Sequence, residues 1–466
     1  MVVWQEKGGT RLPLLLMSAG GVALVAALAF VLFGGEDKAA DTSIESRCAF
    51  PACRAAFDPG AGRGYEGASV AVNPEDENHM VVTDANMAAG WCMWHTTFDR
   101  GKEWVDGIFS SPGYTGCHIN SAAGGHVPTG PGGVAFGPSG KVYAAYGSAT
   151  PSQGTRESVI VGVSDDGGKK FTTTIAAKPP GDDLSYAKPL LSVVAGPSGK
   201  DRLLLSFWQC RQGGRFCESA MFARSDDGGA TFTPPVVVND NPAGQSPSEP
   251  LQTPDGMLYV TFARRYSDGP TDLILARSRD SGQTWNHVLM DQQIQIGDRY
   301  DPAKLAFDPR SNTLYTTYTD ARANTQQVFF RTSKDQGQTW TPPVGIAPDA
   351  QAATSGFSRT PSMSVAPNGR IDIVYYRTPQ ANADNVFWAY SIDGGAKWVN
   401  RQVNDQLIER YAFHNAIGTW YPPDVFSLDT AAVITWSDTR NAREQNRDAQ
   451  EVLLRRMIPA GADIPP

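Results

Sequence analysis

The chain has 466 residues with 33 prolines, 47 glycines and 11 tryptophans. That length allows a large core or two domains, and the composition suits many short strands joined by turns. The formal net charge is −8 with acids and bases mixed along the chain, and no Lys/Arg run offers a nucleic-acid footprint.

Residues 1–11 form a short tail carrying Lys7 and Arg11. Residues 12–33 are 22 consecutive residues without a charge. At ~1.5 Å per residue a helix there reaches ~33 Å, enough to cross the ~30 Å hydrocarbon core. Basic residues precede the stretch, and Glu36 and Asp37 follow it. This asymmetry predicts one transmembrane helix with a cytoplasmic N-terminus and a periplasmic or extracellular C-terminal body. The rival is a cleaved signal peptide, whose apolar region is usually shorter and followed by a small-x-small cleavage site.

Residues 34–65 read as a linker with a small disulfide loop at Cys48 and Cys53. Cys210 and Cys217 stand seven apart, and Cys92 and Cys117 remain. Six cysteines allow 15 pairings, and neighbour pairing suits an oxidising compartment. No cysteine–histidine spacing calls for a metal, and no cofactor motif is present.

From residue 66 the chain repeats. Pairs of apolar runs joined by turns occur at 68–72 with 80–83, 134–136 with 142–146, 190–195 with 203–207, and 250–253 with 257–262. Three more follow at 305–307 with 314–318, 363–365 with 371–376, and 424–428 with 431–436. Apolar runs bounded by Pro, Gly, Asn and Asp predict strand hairpins. A third run follows each hairpin, for example at 158–163, 220–224, 272–277, 327–332 and 386–390. It leads into a turn of pattern Ser/Thr-x-Asp-x-Gly-x-x-aromatic, and a fourth strand starts at the aromatic. The turn aspartates are Asp99, Asp166, Asp227, Asp280, Asp335 and Asp393, spaced by 67, 61, 53, 55 and 58 residues. In such a turn the carboxylate accepts hydrogen bonds from N–H groups just downstream, and the glycine takes φ > 0. Six copies at near-regular spacing signal a radial or stacked repeat.

Seven hairpins accompany six such turns. The last unit has its third strand at 451–457, and part of segment 45–66 is placed to pair beside it. The expected fold is all-β, a single propeller of four-stranded antiparallel blades over 66–458, with a tail at 459–466. Seven blades are expected and six are the alternative. A ring leaves only short, protected sheet edges.

The six turns resemble the Asp-box, or bacterial neuraminidase repeat, of sialidase-like β-propellers. That resemblance places the boxes on the face away from the active site and implies a fold, not an activity. The opposite face carries the loops after each second strand and those between blades. Arg264, Arg322, Arg377 and Arg440 end second strands, as do Asp84, Asp320 and Asp438. Two readings are open: guanidinium groups that converge on an axial pit to bind a carboxylate, or ion pairs that lock neighbouring blades.

Sialidases are similar in using three arginines, an acid/base Asp and a Tyr-Glu pair. Asp84 looks like the acid/base residue, Glu249 the activating Glu, Arg264 the second arginine, and Arg322 or Arg377 the third. Tyr411 and Tyr421 lie late enough in the chain for the tyrosine. The Phe/Tyr-Arg-Ile-Pro motif that carries the first arginine is replaced by Glu66-Gly67-Ala68-Ser69, with Arg63 nearby. On the working face, His414, Trp420 and Tyr421 add aromatic groups suited to a sugar ring or a protein contact. The expectation is therefore a membrane-anchored, exported module that binds a protein or glycan, as an accessory or assembly subunit of a membrane complex. An exo-α-sialidase-type glycoside hydrolase with a rearranged arginine cluster is the alternative.

Overall fold

A computed structural model describes residues 44–46, 65–86, 91–114, 131–149, 157–181, 183–211, 217–240, 247–265, 270–295, 303–322, 326–347, 357–380, 383–409, 422–439 and 451–460. The strands form seven antiparallel sheets of four successive strands each, so the fold is a seven-bladed β-propeller. Blade 3 shows the plan, with Leu184–Ala195 innermost, then Asp201–Arg211, Cys217–Ser225 and, outermost, Val236–Val237. Blade 6 carries an additional short strand, Ile408–Glu409, against Ala383–Ser391.

The ring closes with strands from both ends of the chain. In blade 7, Asp424–Ser427, Ala432–Asp438 and Glu451–Met457 are completed by Ile44–Ser46, which pairs Ile44 with Arg455 and Ser46 with Leu453. The closing strand thus begins one residue before the segment expected from the sequence.

Seven hydrophobic clusters fill the seven blade boundaries. Leu203, Leu205 and Phe207 of blade 3 meet Tyr143, Val159 and Val161 of blade 2, for example. Trp436 and Ile434 of blade 7 meet Trp388 and Tyr376 of blade 6. Val433 and Leu454 then meet Val70 and Val82 of blade 1. Each sheet therefore buries both faces against its neighbours, which explains second strands such as Thr313–Asp320 that are buried at every position.

All six turns adopt one geometry. The Ser or Thr hydroxyl donates to the Asp Oδ1 at 2.7–2.8 Å. The Gly N–H donates back to that hydroxyl at 2.8–2.9 Å. The N–H four residues beyond the Asp donates to the same Oδ1 at 2.9–3.0 Å. In three turns the hydroxyl and N–H of Thr231, Thr284 and Thr339 hold the Asp227, Asp280 and Asp335 carboxyls down to about 2, at Asp227 against the desolvation that raises it.

The glycine has a second job. Gly282 has φ +87°, and a Cβ there would lie 2.2 Å from the ring of Phe222 in the preceding blade; Gly395 stands likewise at 2.2 Å from Phe330. The turns at Gly168, Gly229, Gly282, Gly337 and Gly395 therefore seat on the blade before them as well as closing their own.

Among the described residues no helix is long and apolar enough to cross a membrane. The apolar stretch 12–33 lies outside them, as do Cys48, Cys53 and Cys117. Cys210 and Cys217 form a disulfide between the second and third strands of blade 3. Cys92 is also disulfide-bonded, to a cysteine outside the described residues.

Candidate functional site

Inner strands set the walls of the axis. Each begins on the face opposite the six turns, because the strands of a meander alternate in direction. Four of them open with a register shift, between Glu66 and Ser69, Pro131 and Val134, Ala187 and Leu190, and Arg359 and Ser362. Inside these bulges Gly67, Gly133, Lys188 and Thr360 have φ of 67°, 118°, 47° and 48°. Positive φ is uncommon for a lysine and a true outlier for β-branched threonine, at a cost of about 1–3 kcal/mol each. Lys188 and Thr360 each precede a proline. The N–H of Thr360 donates to Thr319 Oγ1 of the preceding blade at 3.2 Å, which helps hold the bulge. A bulge of this kind re-aims a side chain at a sheet end.

The axis is narrow at this level. A Cβ on Gly132 would lie 1.3 Å from the Pro189 carbonyl oxygen, so only glycine lets blades 2 and 3 meet there. A Cβ on Gly133 would lie 3.8 Å from Glu249 Oε1. The Glu249 side chain, at the start of blade 4, therefore reaches across to blade 2.

Among the described residues, Asp424, Glu249 and Lys304 bring charge to this pit. Asp424 opens the inner strand of blade 7 and is fully hydrogen-bonded. Its Oδ2 accepts from Ser69 Oγ at 2.9 Å and Val70 N at 3.0 Å, both of blade 1. Its Oδ1 accepts from Ser362 Oγ of blade 6 at 3.0 Å and from Val425 N at 2.9 Å. Asp424 thus ties three blades together at the axis.

Glu249 and Lys304 differ. Among the described residues, neither side chain makes a hydrogen bond or an ion pair. Glu249 is an exposed residue, yet the protein packed around its carboxyl pushes it above the usual range by desolvation, Lys304 pulls it back, and Asp424 pushes it up further.

The arginines expected on this face are tied at blade boundaries. Arg264 forms a forked pair with Asp240, just past the outer strand of blade 3. Arg322 donates to Asp291 of blade 4 at 3.0 and 3.1 Å, to the Gln292 carbonyl at 2.8 Å, and to Asp320 of its own blade at 2.5 Å. Asp320 also accepts from Gln295 N at 3.0 Å. Arg377 lies over the Phe387 ring at 5.4 Å. Asp438 is buried and accepts from Trp436 Nε1 at 2.9 Å. Arg440, His414, Trp420, Tyr421, Tyr411 and Arg63 lie outside the described residues.

Asp84 is fully buried. Its Oδ2 meets His95 Nε2 at 3.0 Å, and His95 Nδ1 meets Asp106 Oδ1. A chain of carboxylate, imidazole and carboxylate thus runs across the second, third and outer strands of blade 1.

Among the described residues, no group of three or more His, Cys, Asp or Glu is placed to hold a metal ion. Lys188, Lys304, Arg359 and Asp424 were not singled out from the sequence. Their signal is a proline within the first residues of the inner strand or just before it, at Pro189, Pro250, Pro302, Pro361 and Pro423. Arg359 itself is closed onto Asp384 at 2.7 Å and lies over the Tyr376 ring at 5.3 Å.

No family model matches the chain, and no curated protein sequence matches it. Among solved structures it is similar to a Hadza microbial sialidase, at 16% identity over 79% of this chain and 73% of that one, with a TM-score of 0.47. It is also similar to an ulvan lyase of a polysaccharide lyase family, at 12% identity over 85% and 94%, with a TM-score of 0.48. A protein of unknown function from Dyadobacter fermentans aligns at 17% identity over 59% and 83%, with a TM-score of 0.40. Likeness at this level says nothing about ligand or reaction in this chain.

Proposed function

We propose that this protein is an exported recognition module, held at a membrane by the apolar stretch 12–33, that takes a protein or glycan ligand at its axial pit. It serves a membrane complex as an accessory or assembly subunit and needs no cofactor. The observation that carries this reading is the division of labour among its charges. Arg264 and Arg322 are closed into pairs between blades, whereas Glu249 and Lys304 stand in the pit without partners. A half-buried lysine and a crowded carboxyl left unpaired are costly to the fold, and such groups cluster at functional sites.

The raised Glu249 carboxyl also supports a second reading, a sialidase-type hydrolase in which it acts as a proton donor. The full-length protein, extracted in mild detergent, separates the two. The binding reading expects co-purification of a ligand that is lost in Lys304→Met. Recovery of the same material with wild type and variant counts against the pit as the site. Turnover of a fluorogenic sialoside, abolished in Glu249→Gln, establishes the hydrolase instead.

A further inference from the structure

We propose that the pit selects the uncharged, hydroxyl-rich end of a glycan, bridged between the Glu249 carboxyl and the Lys304 ammonium. This rests on the reading of the pit as the ligand site and adds the chemical class it takes.

The two groups come from adjacent blades, and their nitrogen and oxygen atoms stay more than 4.0 Å apart, since no ion pair joins them. What fits between a lone acceptor and a lone donor is a group that both donates and accepts. A sugar hydroxyl does both, and neighbouring hydroxyls do so at two points. One can accept from Lys304 Nζ while it or its neighbour donates to Glu249.

Charge decides against an acidic sugar. Recognition of a carboxylate favours the forked donors of arginine. Here Arg264 is closed onto Asp240, Arg322 onto Asp291 and Asp320, and Arg359 onto Asp384. Among the described residues that face the pit, an entering carboxylate would meet the Lys304 ammonium together with the carboxylates of Asp424 and Glu249. Asp424 offers no vacant role, since four protein hydrogen bonds already converge on its two oxygens.

Glu249 Oε1 lies 3.8 Å from where a Cβ on Gly133 would be, so a ligand hydroxyl meets this carboxyl against the inner strand of blade 2. Phe357, at the first position of the blade 6 inner strand, is 49% exposed at this end of the propeller. It offers an aromatic face of the kind that sugar rings stack on.

The test is calorimetric titration of the full-length protein in detergent with two sets of oligosaccharides. One set ends in galactose, glucose or mannose, and the other in sialic or glucuronic acid. The expected result is binding within the neutral set and none in the acidic set. Glu249→Gln and Lys304→Met should each weaken it by about tenfold or more, the usual effect of losing a hydrogen bond to a charged group, with a melting temperature equal to or above that of the wild type. Preference for the acidic set, lost in Lys304→Met, overturns the sugar class and leaves the pit as the site. Failure of both sets, with ligand capture from membranes unaffected by either substitution, overturns the class and the site together.

Discussion

Arg370→Met is expected to destabilise the protein by about 3–5 kcal/mol, the range for breaking one side of a buried ion pair. Arg370 immediately precedes the second strand of blade 6, Ile371–Gln380, and is fully buried. Its Nε donates to Asp372 at 2.9 and 3.2 Å, and its Nη2 to Asp372 Oδ2 at 2.9 Å. The remaining N–H groups reach the carbonyls of Leu428, Ala431 and Asp429 in blade 7 at 2.8, 2.8 and 2.9 Å. Asp372 in turn accepts from Trp388 Nε1 at 2.9 Å and from Ser427 Oγ at 2.6 Å. Burial pushes the Asp372 carboxyl up, and the guanidinium pulls against it. Methionine fills much of the space and removes the charge, so a buried carboxylate and three carbonyls lose their partner. The site joins blade 6 to blade 7, the blade that closes the ring by pairing with Ile44–Ser46. Urea denaturation should show the midpoint fall with an unchanged slope; a loss below about 1 kcal/mol would mean that the network is not structural.

His95→Leu should cost a similar ~3–5 kcal/mol, for the same reason in mirror image. The imidazole separates two carboxylates, Asp84 and Asp106, and both ring nitrogens face carboxylate oxygens. Leucine leaves the two acids to repel each other with no donor between them. Asp84 Oδ1 already lacks a hydrogen-bond partner, so the site holds no reserve. A double-mutant cycle with Asp84→Leu measures the pair directly. Coupling of about 0.5–3 kcal/mol between the two positions is the expected result, and additivity would contradict it.

Much of the architecture was legible because it is local. A turn such as Ser278-x-Asp280-x-Gly282 is closed by its own side chains, so its pattern survives in any context. The hairpins are legible for the same reason. What the turn glycines seat on was not legible, because Phe222 and Phe330 belong to other blades. The arginines show the same limit. Arg264 and Arg322 repeat in sequence, but their partners Asp240 and Asp291 are contributed by the preceding blades. The pit was least legible, because Glu249, Lys304 and Asp424 stand on three separate blades and meet only when the ring closes. Glu249 was named from resemblance, and its neighbours were not. The recurring inner-strand proline was the available clue: it marks where several of these strands leave the inter-blade loop and turn toward the axis.

The central claim is that the pit charges bind ligand while the boundary arginines hold the ring. Parallel binding isotherms for Glu249→Gln/Lys304→Met and for Arg264→Met/Arg322→Met test it most directly. The first pair should abolish ligand binding without loss of stability, and the second should retain wild-type affinity with a lowered melting temperature. Loss of binding in the arginine pair, with stability and the pit pair unaffected, would contradict it.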